Sequence, residues 1–335
     1  MGTSAETMPD RRTLESAIVS ASRAPSLHNS QPWKWLLGSD ELSLFSDNDR
    51  ILPATDAYGR QMVLSCGAAL HHLQIALAAH RWASVIERIP HPPGRQCLAT
   101  IRFHPADEAS DSELRLAAAI RLRRTERLPM TAPANPQQTL ADLRDLTERS
   151  GVHLSRIGEH GRPALDDMSR RIMGLRRGDQ AYQAELRWWT GQAVYPGGIP
   201  PDALPTARQS VAADREFPAG SATSDTTADQ DRAAIFLLST DTDSRLDWLR
   251  CGEALSAVLL TCTDRGLATC PVTHLTELNA FRTFLGDLTD GIGVPQVLVR
   301  VGFRTHPEAA TATSRRPLSE ILFREHPVDP LADTQ

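Results

Sequence analysis

A chain of 335 residues, 41% hydrophobic and 23% charged, is long and apolar enough for one large or two medium buried cores. Its formal net charge of −5, from 36 basic and 41 acidic side chains, gives no reason to expect nucleic acid as a partner. Five cysteines without a C-x-x-C pair read as free thiols in a reducing compartment, and the N-terminus lacks an apolar signal core. With no apolar run approaching membrane-spanning length, the expectation is a cytoplasmic protein that makes no use of a membrane.

The first helical pattern runs from Thr13 to Ser22, with Leu14, Ala17, Ile18 and Ala21 on one face. Pro25 stops it, and Pro32 pushes Gln31 toward extended backbone before a strand that starts at Trp33. Between the prolines, Ser26, His28, Asn29, Ser30 and Gln31 form a loop rich in donors and acceptors. Taken alone, that loop reads equally as a capped turn or as a binding loop. A second strand follows at Glu41 to Phe45, then a long helix from Met62 to Trp82 that is apolar around much of its surface and belongs at the centre of the fold. His71 and His72 sit on it side by side, about 100° apart, a poor arrangement for sharing one metal. Leu98 to His104 alternates as a strand.

Asp111 or Ser112 caps the next helix, which ends in the basic run Arg123-Arg124-Thr125-Glu126-Arg127. Amphipathic helices are predicted over Gln138–Ser150, Pro163–Arg176 and Asp179–Thr190, with a strand at Val152–Ile157. Residues 191–232 are dominated by Gly, Pro, Ala, Ser, Thr and Asp; so long a loop is a lid, a wrapped arm or a disordered segment. A strand at Ala234–Ser239, a second apolar helix at Asp247–Arg265 and a strand at Val297–Phe303 follow, and order returns from Arg315 to Leu322.

The two apolar helices match each other. Cys66-Gly67-Ala68-Ala69-Leu70 sets against Cys251-Gly252-Glu253-Ala254-Leu255 at an offset of 185, Trp82-Ala83 falls on Leu267-Ala268 at the same offset, and a strand follows each helix. Register kept over a whole helix and into the next element points to an internal duplication.

The run Ala24-Pro25-Ser26-Leu27-His28-Asn29-Ser30-Gln31-Pro32-Trp33 resembles the flavin-contacting loop of the nitroreductase superfamily. With His before Asn, and with Arg60-Gln61-Met62-Val63-Leu64-Ser65-Cys66-Gly67 further on, it is similar to the Acg subfamily of FMN-binding nitroreductase-like proteins. The resemblance implies an α+β nitroreductase-like fold. Ordinary nitroreductases are homodimers with long central helices at the interface. Here one chain would be an internally duplicated pseudo-dimer, with long central helices and flanking sheets, and would act as a monomer. Its halves would be residues 12–110 and 111–325, the second carrying the lid-like insertion at 191–232.

The implied cofactor is FMN, in one composite site. Ser26, Asn29 and Gln31 would bond the ring and ribityl edge, with His28 beside them. Arg123, Arg124 and Arg127 resemble the R-R-S-x-R phosphate motif, and Arg315 and Arg316 resemble the basic residues that close the same site. Pro271, Val272, Thr273 and His274 lie in a stretch similar to the loop beside flavin N5. It departs from that pattern at Ala268, where a glycine is usual, and at Thr273-His274, where small residues are usual. The flavin would carry the chemistry, with no catalytic side chain and no metal. The implied activity is hydride transfer from NAD(P)H or another donor to a small acceptor such as a nitroaromatic or quinone. The alternative is a non-catalytic store that sequesters FMN under the lid.

Overall fold

Residues 8–90, 96–190, 196–205, 211, 215–217, 231–289, 291–306 and 312–325 are described by a computed structural model. The first part of the chain forms α1 (Arg11–Ala21), β1 (Trp33–Leu37), β2 (Leu42–Ser46), α2 (Arg60–Ala79), β3 (Trp82–Arg88) and β4 (Cys97–Pro105). The remainder forms α3 (Asp111–Leu122), β5 (Met130–Thr131), α4 (Pro136–Glu148), β6 (Val152–Ile157), α5 (Arg162–Arg177) and α6 (Gln180–Trp189). It continues with β7 (Ala234–Thr240), α7 (Arg245–Asp264), β8 (Ala268–Val272), α8 (Asn279–Asp287), β9 (Val294–Arg304), α9 (Leu318–Ile321) and β10 (Leu322–Arg324).

Local chemistry sets most of these boundaries. The Asp10 carboxylate accepts from the Thr13 amide and starts α1. The cap of α3 is Ser110, not Asp111 or Ser112, because Ser110 and Glu113 close a reciprocal capping box. Ser244 and Asp247 do the same for α7. The predicted extension of α2 to Trp82 fails because the backbone turns left-handed at Arg81 (φ 66°), and Trp82 opens β3 instead.

Two five-stranded sheets result. The first has the order β10-β1-β2-β4-β3; in the second, β6-β7-β9 is continued by β8 along most of β9 and by β5 at its end. The connectivity repeats: two strands, a long helix, two strands, with the last strand of each set placed between its predecessors. α2 and α7, 20 residues each, begin and end at the same offset of 185. They cross where Gly67 faces Gly252. A Cβ on Gly67 would lie 2.1 Å from the Leu249 carbonyl oxygen, and one on Gly252 would lie 2.0 Å from the Leu64 oxygen. Backbone meets backbone there, which only paired glycines allow. One turn on, His71 Nδ1 and His72 Nδ1 both lie 2.8 Å from the Ser256 hydroxyl, so both imidazoles serve the helix interface; burial lowers the His71 pKa to about 4.

α2 is long and apolar enough, by length and composition, to cross a membrane, which corrects the expectation that no run approaches that length; it is mostly buried as a central core helix. The first core packs α1 and α2 on the first sheet around Trp33, Trp35 and Leu70. α4 and α7 cover one face of the second sheet around Phe236, and α5 and α8 cover the other around Ile172 and Leu285.

Although it lies within 111–325, β10 pairs in parallel with β1, Trp35 opposite Leu322, and so extends the first sheet. Arg316 is the anchor: its guanidinium reaches the Asp47 carboxylate at 3.2 Å and the carbonyls of Gln31 and Glu320.

Candidate functional site

Two adjoining compartments, one larger than the other, lie between the first part of the chain and the remainder, sharing Pro25, Ser26, Thr125, Arg127 and Ile199 in their walls. The first half supplies residues 23–29 and the start of α2 (Gln61, Leu64, Ser65). The second supplies the chain after α3, the end of β8 and Leu255 of α7, and the wall is completed by residues 312–315.

The 23–31 loop is held in a conformation few side chains adopt freely. His28, Asn29 and Gln31 have φ of 49°, 57° and 51°, so Gln31 is left-handed and not extended as Pro32 suggests. Contacts on every side fix it. The Leu27 amide donates to the Ser65 hydroxyl at 3.3 Å, and the Gln31 amide donates to the Ser26 hydroxyl at 2.9 Å. Asn29 Nδ2 donates to the carbonyls of Gly198 (2.9 Å) and Ser314 (3.1 Å). Arg50 Nε donates to the Ser30 carbonyl.

The smaller compartment is basic. Arg23, Arg123, Arg124, Arg127 and Arg315 line it, and no carboxylate appears among its described lining residues. Arg123, the C-cap of α3, donates to the Arg23 carbonyl at 3.1 Å, yet its Nε and Nη1 are buried without a partner. Arg315 donates to Asn29 Oδ1 at 3.1 Å and to the Arg23 carbonyl at 3.2 Å, and its Nε is likewise unpartnered. Burial, and then repulsion among the guanidiniums, lowers Arg123 to about 10 and Arg315 to about 9; Arg124 moves the same way for the same reasons. Clustered, desolvated cations with unspent N–H donors form a site for a multiply charged oxyanion.

The larger compartment is apolar with two imidazoles. Leu27, Leu64, Leu255, Pro271 and Phe217 contribute its apolar surface. Both ring nitrogens of His28 are buried without a partner, and burial, followed by the charges of Arg215 and Arg127, holds its pKa well below the usual value. His274 Nε2 bonds the Ser169 hydroxyl at 2.9 Å, leaving Nδ1 buried and unpartnered. Arg215 pairs with Glu277 and bonds the Tyr182 hydroxyl. Ile199, Arg215 and Phe217 all belong to the predicted insertion, whose described residues thus form one wall of the cleft; 191–195, 206–210, 212–214 and 218–230 lie outside the described residues.

Ser26, His28, Asn29, Arg123, Arg124, Arg127, Pro271, Thr273, His274 and Arg315 therefore line the cleft. Three candidates do not. Gln31 is fully buried, its Oε1 accepting from the Arg316 amide at 2.8 Å, and so ties the loop to the C-terminal segment. Arg316 is committed to Asp47 and the loop carbonyls, and Val272 is buried in β8 opposite Leu298. Among the residues not anticipated, Arg23 directly precedes the loop and was readable as a further cation. Gln61, Leu64 and Ser65 lie one helical turn apart on α2, whereas Arg215 and Phe217 sit in a stretch without periodic signal.

No protein-family model matches the chain. A Mycobacterium tuberculosis protein with the provisional name NAD(P)H nitroreductase Acg is 42% identical over 322 residues, 95% of this chain and 97% of the relative. A second M. tuberculosis protein with a provisional NAD(P)H nitroreductase name is 37% identical over 322 residues, 94% of this chain and 92% of the relative. Among solved structures, a nitroreductase-named protein from Anabaena variabilis superposes with a TM-score of 0.53 at 10% identity, covering 89% of this chain and 90% of the other, which establishes the fold. Identity at that level over nearly the full length of both chains, with the same fold beneath it, places the chain in the Acg family of nitroreductase-like proteins.

Proposed function

We propose that the cleft binds FMN, phosphate in the basic compartment and isoalloxazine in the larger one, and that the protein is a cytoplasmic oxidoreductase. It would pass hydride from NAD(P)H or another donor to a small aromatic acceptor. The single observation that carries this reading is the set of mutually repelling guanidiniums, facing no carboxylate among the described lining residues and with unspent N–H groups on Arg123 and Arg315, at one end of a cleft whose other end is apolar. When bound, FMN supplies the two-electron chemistry.

The chain's own residues do the rest. Arg123 and Arg315 present free N–H groups to a phosphate dianion, and Arg23, Arg124 and Arg127 add charge around it. Ser26, at the junction, suits the polyol between phosphate and ring, while Asn29 lines the basic compartment and holds Arg315 in place there. Pro271, Thr273 and His274 border the ring from the end of β8, while Leu64 and Leu255 give it an apolar floor on the two central helices. Ile199 and Phe217 exclude water from the opposite side.

The test is a visible spectrum of the purified protein, fresh and after reconstitution with FMN. Flavin absorbance at one equivalent is expected, and a protein that stays colourless removes the reading. Arg123→Ala and Arg315→Ala are each expected to weaken FMN about tenfold or more, since a charge-assisted hydrogen bond contributes about 1.5–3 kcal/mol. Unchanged affinity in both variants would move the phosphate elsewhere. The observation that favours a sealed FMN store is the Arg215–Glu277 and Arg215–Tyr182 latch, which pins the covering segment to the second half. Bound flavin that dithionite bleaches, and that neither NADH nor NADPH bleaches over hours without oxygen, would exclude nicotinamide as the donor and leave the store or an enzyme with another donor.

A further inference from the structure

His28 is the one residue of the 23–31 loop whose side chain meets the larger compartment with all of its hydrogen-bonding capacity unused. Leaving an imidazole buried with neither nitrogen paired is costly, and so is the left-handed backbone that puts it there. Contacts on both sides hold it in place. Ser65 holds the Leu27 amide just before it, and the Asn29 side chain is tied to Gly198 and Ser314 just after it. A loop fixed on both sides of a strained, unpartnered side chain is arranged for a ligand atom.

The position of His28 selects which ligand. Its ring meets Phe217 of the covering segment edge-on, with centroids 6.3 Å apart and planes at 65°. The floor of the compartment, Leu64, Leu255, Cys270 and Pro271, comes from the central helices and β8. A flavin ring laid on that floor leaves His28 on the cover side, where the second reactant stacks. Resting on the FMN reading, we infer that His28 determines acceptor specificity: its imidazole donates a hydrogen bond to a carbonyl or nitro oxygen on a planar aromatic acceptor held between flavin and Phe217. Burial beside Arg127 and Arg215 keeps the imidazole neutral, so it offers one N–H donor and one acceptor nitrogen and adds no charge.

A conjugated oxygen on the flavin's own edge has the same chemistry, and the experiment separates the two. Menadione is titrated into the oxidised, FMN-loaded protein with no electron donor present, following the perturbation of the flavin spectrum. FMN affinity is measured separately by fluorescence quenching. In His28→Phe, menadione binding is expected to weaken tenfold or more, with FMN affinity and the unliganded flavin spectrum within twofold of the parent. His28→Gln, which restores a donor of similar reach, should recover most of the loss. If His28→Phe instead weakens FMN or shifts its spectrum while menadione affinity holds, the partner is the flavin and the inference fails. It fails equally if neither affinity changes. Absence of FMN binding in the parent protein would defeat the functional reading itself, a result distinguishable from both.

Discussion

Asp56 shows how one carboxylate can serve the site while opposing the fold. Its two oxygens accept from the amides of Gln61 (3.1 Å) and Met62 (2.8 Å), finishing the start of α2 beside the wall residue Gln61. Burial raises its pKa to about 6 against those bonds and the Arg60 charge. A pKa raised on folding means that the native state binds the extra proton, so this contribution is complete below pH ~4 and is lost as pH rises through about 6. Asp56→Asn removes that titration. The stability of the parent relative to Asp56→Asn is therefore expected to fall between pH 4.5 and 7.5, read by urea denaturation at both; a constant difference would remove Asp56 as the titrating group. At this scale the sequence was legible for residue type and silent on direction. Arg315 and Arg316 are neighbours with the same chemistry, yet one faces the cleft and the other clamps Asp47. Thr273 and Val272 also divide, Thr273 lining the cleft just after β8 ends and Val272 buried opposite Leu298.

The elements were more legible than the residues, because periodicity reports burial directly. α1, α4, α5, α6, β6 and β7 lie within two residues of the predicted spans. The elements not anticipated have specific causes. β8 holds Pro271 and follows left-handed Gly266, both turn signals, and it is a strand because β9 supplies a partner from Leu298 to Gly302. The match between the apolar helices was readable, but its geometric reason was not: the glycine of each CGxAL run is where the backbones touch. Gly67→Ala should raise local helix propensity yet force α2 and α7 apart, at a net cost of about 3 kcal/mol or more. Gly174→Ala, in α5 with no atom within 4 Å of the new Cβ, is expected to be neutral or stabilising by less than about 1 kcal/mol. Equal effects of the two substitutions in chemical denaturation would show that propensity, not the crossing, dominates.

At the scale of the whole molecule, repeated connectivity brings two sheets and two central helices together within one chain. α2 and α7 already cover each other, so neither requires a second copy to bury its apolar surface. The expected solution state is a monomer, and light scattering at micromolar concentration should return the mass of one chain; a stable dimer would mean that another face has been recruited. The repeat does not extend to the cleft. α4 leads into β6 through only a tight turn, where α1 leads into β1 through the whole 23–31 loop, so the described residues hold one such loop.

The parallel pairing of β10 with β1 also orders events in time. β1 leaves the ribosome before its parallel neighbour β10, which follows only after β2 to β9 have been made. Until then the first sheet has an open edge at Trp35, and the loop beside it lacks the carbonyl of Ser314 and the guanidinium of Arg316 that hold it in its left-handed shape. The nascent protein can build β2 to β9 and the helices among them first, but the loop that borders the cleft is held in its finished shape only once the 312–325 segment has docked.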